Sequence, residues 1–148
     1  MSDNIFKELR EDHNLQRELI ESLTSTSGDT NTRKELFRKL KNELEDHAKA
    51  EERHFYSPLM SHELTIEMAR HSVAEHKELD DIIEDLDKTE FDSSAWLKKA
   101  KHLEHRLIHH LKEEEREVFP LAGKALNELD KARLASKYNK EMESYRVQ

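Results

Sequence analysis

The chain has 148 residues, enough for one ordinary domain, and it contains more charged residues (39%) than hydrophobic ones (34%). A net charge of −8 disfavours nucleic acid and anionic membranes as partners, and the absence of cysteine excludes disulfides, thiolate metal sites and iron–sulfur clusters. Two glycines and two prolines are too few for the turns of an all-β protein. No stretch approaches the roughly 20 apolar residues of a membrane span, and the start lacks the pattern of a signal peptide. We therefore expect a cytoplasmic, all-α domain.

Two helices are predicted in the first half of the chain. The first runs from about Ser2 to Leu23 and is followed by a turn-like segment rich in Ser and Thr. The second begins near Asn31 or Thr32, a plausible N-cap, and Pro58 marks its end or a kink.

Two further long helices are predicted in the second half. Ser61 is expected to cap a third helix that runs to about Asp87. Asp92 or Ser93 is expected to cap a fourth helix, and Pro120 and Gly123 mark its end.

These elements predict an antiparallel up-down four-helix bundle over about residues 2–122, with a short C-terminal fifth helix over about 127–145. Helices of roughly 20–30 residues joined by short links pack in this way. No linker is long enough to divide the chain, so residues 1–148 are expected to form a single domain.

Polar residues interrupt the apolar stripes of the four bundle helices, where core positions should be apolar. Without metal, a buried cluster of imidazoles and carboxylates would cost several kcal/mol, whereas these groups suit iron, manganese or zinc. The candidate metal ligands are therefore His13, His47, Glu51, His76, His110 and Glu114.

A repeat supports this interpretation, because one offset of 63 residues separates three pairs: His13 and His76, His47 and His110, and Glu51 and Glu114. Two helix pairs related by an approximate twofold axis would place two His-His-Glu sets face to face. The two carboxylates would then bridge two cations, and two histidines would be terminal ligands of each. That arrangement leaves positions for an oxo or hydroxo bridge and for an exchangeable ligand such as O2, peroxide or NO.

His109 and Glu113 form a rival pair with the same four-residue spacing. At about 100° per residue, His110 and Glu114 lie nearer the centre of the apolar stripe of the fourth helix. His109 lies roughly opposite that centre, so periodicity favours His110 and Glu114 as the inward pair.

The six-residue pattern resembles the hemerythrin-like family, the HHE cation-binding domain. The family pattern H…HxxxE…H…HxxxE is met by His13, His47-Ala-Lys-Ala-Glu51, His76 and His110-Leu-Lys-Glu-Glu114. The resemblance covers about residues 1–122 and implies a four-helix bundle that holds a non-haem di-iron centre, with two oxo- or hydroxo-bridged Fe ions. Manganese and zinc remain alternatives, and the resemblance implies no cofactor beyond these metals.

Members of this family bind oxygen, sense oxygen, NO or redox state, handle iron, decompose peroxide or repair iron centres. Its oxygen carriers have a fifth histidine, four residues from another on the third helix. Here the neighbours of His76 at that spacing are Ser72 and Asp80, which puts simple oxygen transport in doubt. Either Asp80 is an additional carboxylate ligand, or that coordination position is open.

We therefore expect a di-iron protein that binds or reacts with O2, H2O2 or NO in oxygen or redox sensing or in detoxification. A catalase- or peroxidase-like di-iron enzyme and a protein for iron handling or iron-centre repair are the alternatives. The sequence leaves open whether the protein is an enzyme and which residue would be catalytic. A sensor would need a separate protein partner.

Two further side chains are candidates near the second helix. His54 follows Glu51 by three residues and could donate a hydrogen bond to a ligand or bind metal itself. Tyr56 lies opposite the ligand face of a regular helix, and only a local bulge near Pro58 would turn it inward.

Overall fold

A computed structural model describes residues 4–146, which form five helices and contain no strand. The all-α helical bundle predicted from the sequence is confirmed. The predicted first helical residue, Ser2, lies outside the described residues. The helices are α1 (Ile5–Thr24), α2 (Asn31–Glu51, continuing through a π-helical turn at Glu52–Tyr56 into Ser57–Leu59), α3 (Ile66–Asp87), α4 (Ser94–Glu113, continuing through a π-helical turn at Glu114–Val118 into Phe119–Ala125) and α5 (Glu128–Arg146).

Side-chain caps begin two of the long helices near the predicted positions. The Thr30 side chain accepts from the backbone N–H of Arg33, so that Asn31 is the first residue of α2 and not its cap. Ser93, one of the two predicted caps of α4, accepts from the Ala95 N–H.

The predicted cap at Ser61 is wrong, because α3 begins five residues later at Ile66. Turns occupy most of the intervening segment. The buried Thr65 hydroxyl donates to the Leu59 carbonyl at 2.8 Å and ties this segment back to the end of α2. A local hydrogen bond thus replaces the helical turn that the sequence pattern predicted.

The two prolines do not end their helices: α2 continues to Leu59, and α4 continues through Pro120 to Ala125, two residues beyond Gly123. Each follows a π-helical turn, in which the Ser57 N–H bonds to the Glu52 carbonyl and the Phe119 N–H to the Glu114 carbonyl. Proline lacks the N–H that a regular helix needs, and the wider turn takes up the change in hydrogen-bond register. The extra residue also rotates the side chains that follow by about 100°.

The apolar core consists of two clusters with a polar layer between them. Along α1, Leu9 belongs to one cluster and Ile20 to the other, and His13 lies between them. Helix α5 packs on α1 and α2 and contributes Tyr138 to the first cluster.

Within residues 4–146, every helix is too short or too polar to span a lipid bilayer. The interpretation of residues 1–148 as a single domain stays a prediction.

Arg33 connects two loops at the Trp96 end of the bundle, although its side chain is almost fully buried, at 2% exposure. Its guanidinium donates to the Thr26 hydroxyl at 2.9 Å, to the Thr26 carbonyl at 2.7 Å and to the Phe91 carbonyl at 2.6 Å. It also lies 4.5 Å from the centroid of the Trp96 ring. The charge is therefore buried, but each of its three nitrogens donates a hydrogen bond.

Replacing this residue should cost stability without disturbing the polar layer. Arg33→Met leaves two carbonyls unpaired, and we expect the free energy of unfolding to fall by about 2–4 kcal/mol. Arg38→Met, an exposed position on the same helix, is the matched control and should change it by less than about 0.5 kcal/mol. Urea unfolding measures both, and equal values for the two variants would contradict this role of Arg33.

Candidate metal centre

The six predicted ligands meet in the polar layer of the bundle. One comes from α1, two from α2, one from α3 and two from α4, the last of these being the first residue of its π-helical turn. None is more than 5% exposed: His13, His47, Glu51, His76, His110 and Glu114. The apolar stripes therefore bury all six residues, while their role as ligands stays a prediction.

The six residues form two groups that share both carboxylates. Nitrogen and oxygen atoms of His13, His47, Glu51 and Glu114 lie within 4.8 Å of one another, and so do those of Glu51, His76, His110 and Glu114. The Nε2 atoms of His13 and His76 lie 2.9 Å and 3.1 Å from Glu114 and Glu51, respectively. Those of His47 and His110 lie 3.4 Å and 3.7 Å from Glu51 and Glu114. Each group can accommodate one cation, and the carboxylates can reach both.

Two of the imidazoles are oriented by the acidic residue that follows each central carboxylate. The Nδ1 atom of His13 lies 2.7 Å from Glu115, and the Nδ1 atom of His76 lies 2.7 Å from Glu52. Because a carboxylate accepts, each Nδ1 carries a proton and donates it, and each Nε2 points at the centre. A deprotonated Nε2 can therefore bind a cation there. Arg17 donates to both oxygens of Glu115 and fixes that carboxylate.

The partners of the other two imidazoles differ from each other. His110 donates from Nδ1 to Glu75 at 2.7 Å. Asp12 occupies the equivalent position 63 residues earlier, but its side chain is one methylene shorter and its carboxylate stays 3.6 Å from His47. The Tyr138 hydroxyl fills this gap: it accepts from His47 Nδ1 at 2.6 Å and donates to Asp12. Helix α5 thus orients one of the four imidazoles.

The sequence analysis did not include Asp12, Glu52, Glu75, Glu115 or Tyr138. The four acidic residues could have been found, because each pair is 63 residues apart, the offset of the ligands themselves. Tyr138 lies beyond the repeat, and no sequence spacing relates it to His47. Its role depends on how α5 packs.

Several buried atoms of the cluster have no hydrogen-bond partner among the described residues. They are His13 Nε2, His47 Nε2, both side-chain oxygens of Glu51 and Glu114 Oε1. Each such atom costs free energy when it is buried without a partner. They belong to residues whose ligand atoms lie within 4.8 Å of one another, so a cation could bind them. The residues present therefore fit a metal centre.

Charge within the cluster favours bound protons as well as cations. Burial and the charge of Glu51 raise the pKa of Glu114 well above its usual value. Burial acts to lower the pKa of His47 and of His76. The neighbouring carboxylates, Glu51 together with Asp12 for His47 and with Glu52 for His76, outweigh burial and raise these pKa values to about 10 and about 9. Burial lowers the pKa of His13 to about 4. Because metal ions compete with these protons, metal affinity increases with pH.

Tyr56 faces the cluster because of the π-helical turn in α2. Its side chain is fully buried, and its hydroxyl donates to Glu114. Phe119 occupies the equivalent position in α4 and stacks on His13, with 5.9 Å between ring centroids. The bulge that the sequence analysis set as a condition for Tyr56 is therefore present. The first half of the repeat thus supplies a hydroxyl beside the cluster, whereas the second half supplies only a phenyl ring. The surroundings of the cluster are therefore chemically different on the two sides.

A cavity of about 10 Å³ adjoins the cluster, with about enough room for one water-sized molecule. Most of its lining surface is apolar, although several lining residues have a polar end. The lining residues are Gln16, Leu44, His47, Ala48, His76, Leu79, Asp80, Leu107 and His110. Asp80 is exposed and belongs to neither ligand group. This position favours the second of the two sequence interpretations, an open coordination position beside His76.

Two other candidates from the sequence lie outside both ligand groups. His54 contacts Glu141 of α5, with 2.8 Å between His54 Nε2 and the carboxylate oxygen. The His109 side chain is 50% exposed and lies 3.1 Å from Glu113. Neither histidine contacts the central carboxylates.

Comparison with known proteins points to the same kind of site. The family model described as the hemerythrin HHE cation binding domain matches residues 4–122. A crystal structure of a hemerythrin HHE cation binding domain-containing protein from Mycobacterium kansasii is similar to this chain, with a TM-score of 0.87 and 23% sequence identity. The similarity covers 97% of this chain and 88% of that one, and at this identity it supports the fold. No curated protein matches the chain.

Removal of the Tyr138 hydroxyl tests whether α5 helps to hold metal. Tyr138→Phe keeps the buried ring but leaves His47 without its hydrogen-bond acceptor, and we expect metal affinity to fall about 10–100-fold. Tyr145→Phe is the matched control on the same helix, because the hydroxyl of Tyr145 bonds Glu141 and lies outside the cluster. Competition with a chelator measures both variants. Equal affinities in the two would show that Tyr138 does not act through His47.

Proposed function

The chain belongs to the hemerythrin HHE cation-binding family, and on that basis we propose that it is a non-haem di-iron protein that binds or reacts with O2, peroxide or NO. The observation that carries the proposal is the sharing of Glu51 and Glu114 by two histidine groups. His13 and His47 would be the terminal ligands on one side. His76 and His110 would serve on the other.

The donor set supports a transition metal over calcium or magnesium. Imidazole nitrogen is a good ligand for iron, manganese and zinc, whereas calcium and magnesium prefer oxygen ligands alone. The choice of iron rests on the family resemblance, and manganese and zinc are the alternatives to be measured. Two iron ions at this position would supply redox chemistry towards O2, peroxide or NO.

The protein residues around the centre control what can approach it. Leu44, Leu79 and Leu107 form an apolar wall beside His76 and His110, and the cavity there has room for only a very small molecule. An apolar wall excludes bulk water and favours small, weakly hydrated molecules such as O2 and NO. These features suit sensing or detoxification of such molecules.

Tyr56 favours the second candidate function, a peroxide-decomposing enzyme. Its buried hydroxyl holds a proton directly beside Glu114, one of the two carboxylates common to both groups. In catalase-like breakdown, 2 H2O2 → 2 H2O + O2, one peroxide reduces the other. The protons that the reducing peroxide gives up have to reach the oxygen atoms that become water, in a site closed to bulk water. Iron handling and iron-centre repair gain no comparable support from the structure. The cytoplasmic location stays a prediction.

Two adjacent histidines of α4 provide a matched test of the ligand assignment. His110→Ala removes a buried imidazole of the cluster, and we expect the iron content of the purified protein to fall to half or less. His109→Ala removes an exposed imidazole outside the cluster. It should leave the iron content unchanged in protein from which a chelating resin has removed weakly held surface ions. Metal analysis of both untagged proteins is the measurement. Equal losses would refute the assignment of His110.

The two carboxylates have a distinct test. Glu51→Ala and Glu114→Ala should each remove the magnetic coupling between the two iron ions, because we propose that each side chain binds both ions. Mössbauer and electron paramagnetic resonance spectra measure this coupling. A coupled pair that persists in either variant would contradict the bridging role of that residue.

Peroxide consumption separates the two candidate functions. A sensor or binding protein should consume about one equivalent of peroxide per centre, whereas an enzyme should consume many. If the protein turns over, Tyr56→Phe should lower the rate about 10- to 100-fold while the iron content stays constant. An unchanged rate in this variant would rule out proton delivery by Tyr56.

A further inference from the structure

A second set of histidines and glutamates lies on the outer surface of α3 and α4. Each helix contributes one His and one Glu four residues apart, a spacing that places both side chains on one helix face. We call this set the outer quartet; its members are His71, Glu75, His109 and Glu113. We propose that the outer quartet is a second site, which binds a single divalent transition-metal ion such as Zn²⁺ or Fe²⁺.

Glu113 joins the two helices of the outer quartet. One of its oxygens lies 2.7 Å from His71 Nε2, and the other lies 3.1 Å from His109 Nε2. Glu75 completes the set, because one of its oxygens lies 3.4 Å from His71 Nε2 and 4.0 Å from His109 Nε2. Ligand atoms of His71, Glu75 and Glu113 therefore lie within 4.8 Å of one another. His109 lies beside this group, nearest to Glu113.

These separations are close to those that a tetrahedral site requires. Ligand atoms at roughly 2.0–2.1 Å from a zinc ion lie about 3.4 Å from one another. The four distances from a histidine Nε2 to a carboxylate oxygen lie between 2.7 Å and 4.0 Å. The side chains of His71 and His109 are 54% and 50% exposed, so small rotations can bring both nitrogens to the required distance.

The neighbouring cation does not fill the site. Arg106 Nη2 is 3.9 Å from Glu75 but donates to Glu78 at 2.9 Å, so its charge is directed mainly to Glu78. Two imidazole ligands disfavour calcium and magnesium and favour zinc, ferrous iron, cobalt or nickel. The expected occupant is therefore a borderline divalent transition metal.

Glu75 belongs to the surroundings of both sites. Its Oε1 accepts from Nδ1 of His110 at 2.7 Å, while its Oε2 is the atom that faces His71. The outer ion would therefore lie one side chain away from the metal centre. His109 and Glu113, the rival pair of the sequence analysis, thus belong to this proposed outer site, together with His71 and Glu75 of α3.

The test uses the protein with its centre filled as purified, after a chelating resin has removed weakly held ions. Calorimetric titration with Zn²⁺ should show one additional equivalent per chain. His71→Ala and His109→Ala should each weaken this binding by at least about tenfold. His102→Ala is the matched control, because His102 is exposed on the same helix about two turns away and should bind Zn²⁺ like the wild type.

Two results would overturn the proposal. One is the absence of an additional equivalent in the wild type, and the other is equal Zn²⁺ binding in all three variants. An anomalous zinc peak between the two imidazoles in a crystal would support the site, and a peak elsewhere would refute it. Iron is measured in the same samples. A centre without iron would contradict the proposed function, whereas an outer quartet without zinc would contradict only this inference.

Discussion

Two carboxylates that face each other inside an apolar bundle are the constraint on which the rest of this structure depends. Glu51 and Glu114 are almost fully buried, and most of their oxygens have no hydrogen-bond donor among the described residues. Like charges in such a place repel each other and cannot be solvated. Four imidazoles surround the pair, and cations between them would compensate both charges. The helices therefore have to present polar groups where they would otherwise present apolar ones.

Orientation of the imidazoles depends on a surrounding layer of acidic residues that obeys the same repeat as the ligands. Glu52 and Glu115 are equivalent in the two halves and make the same contact. Asp12 and Glu75 are equivalent in sequence but not in contact, because the Asp12 side chain is too short to reach His47. The Tyr138 hydroxyl accepts the hydrogen bond from His47 instead. Hydrogen bonds of this kind fix the orientation of each imidazole before any ion arrives, so that Nε2 faces the centre when an ion displaces its proton.

The sequence predicted what depends on periodicity and missed what depends on local or tertiary deviations from it. Regular helices and one repeat sufficed to place His110 inside and His109 outside. Tyr56 could not be placed without the π-helical turn, because one inserted residue changes which face a side chain occupies. Tyr138 could not be found at all, since the packing of α5 on α1 and α2 is not encoded by any spacing. The late start of α3 followed from a hydrogen bond by Thr65 that no propensity predicts.

The contact between Asp12 and Tyr138 joins residues 126 positions apart in the chain. Terminal helices open more readily than the interior of a bundle, at a free energy below that of global unfolding. When α5 lifts from α1, His47 loses its acceptor while its three counterparts keep theirs. Opening of the last helix thus disorders His47 and leaves the other three imidazoles in place. A segment trimmed to residues 4–122 would keep every candidate ligand and still lose the rigidity of that side.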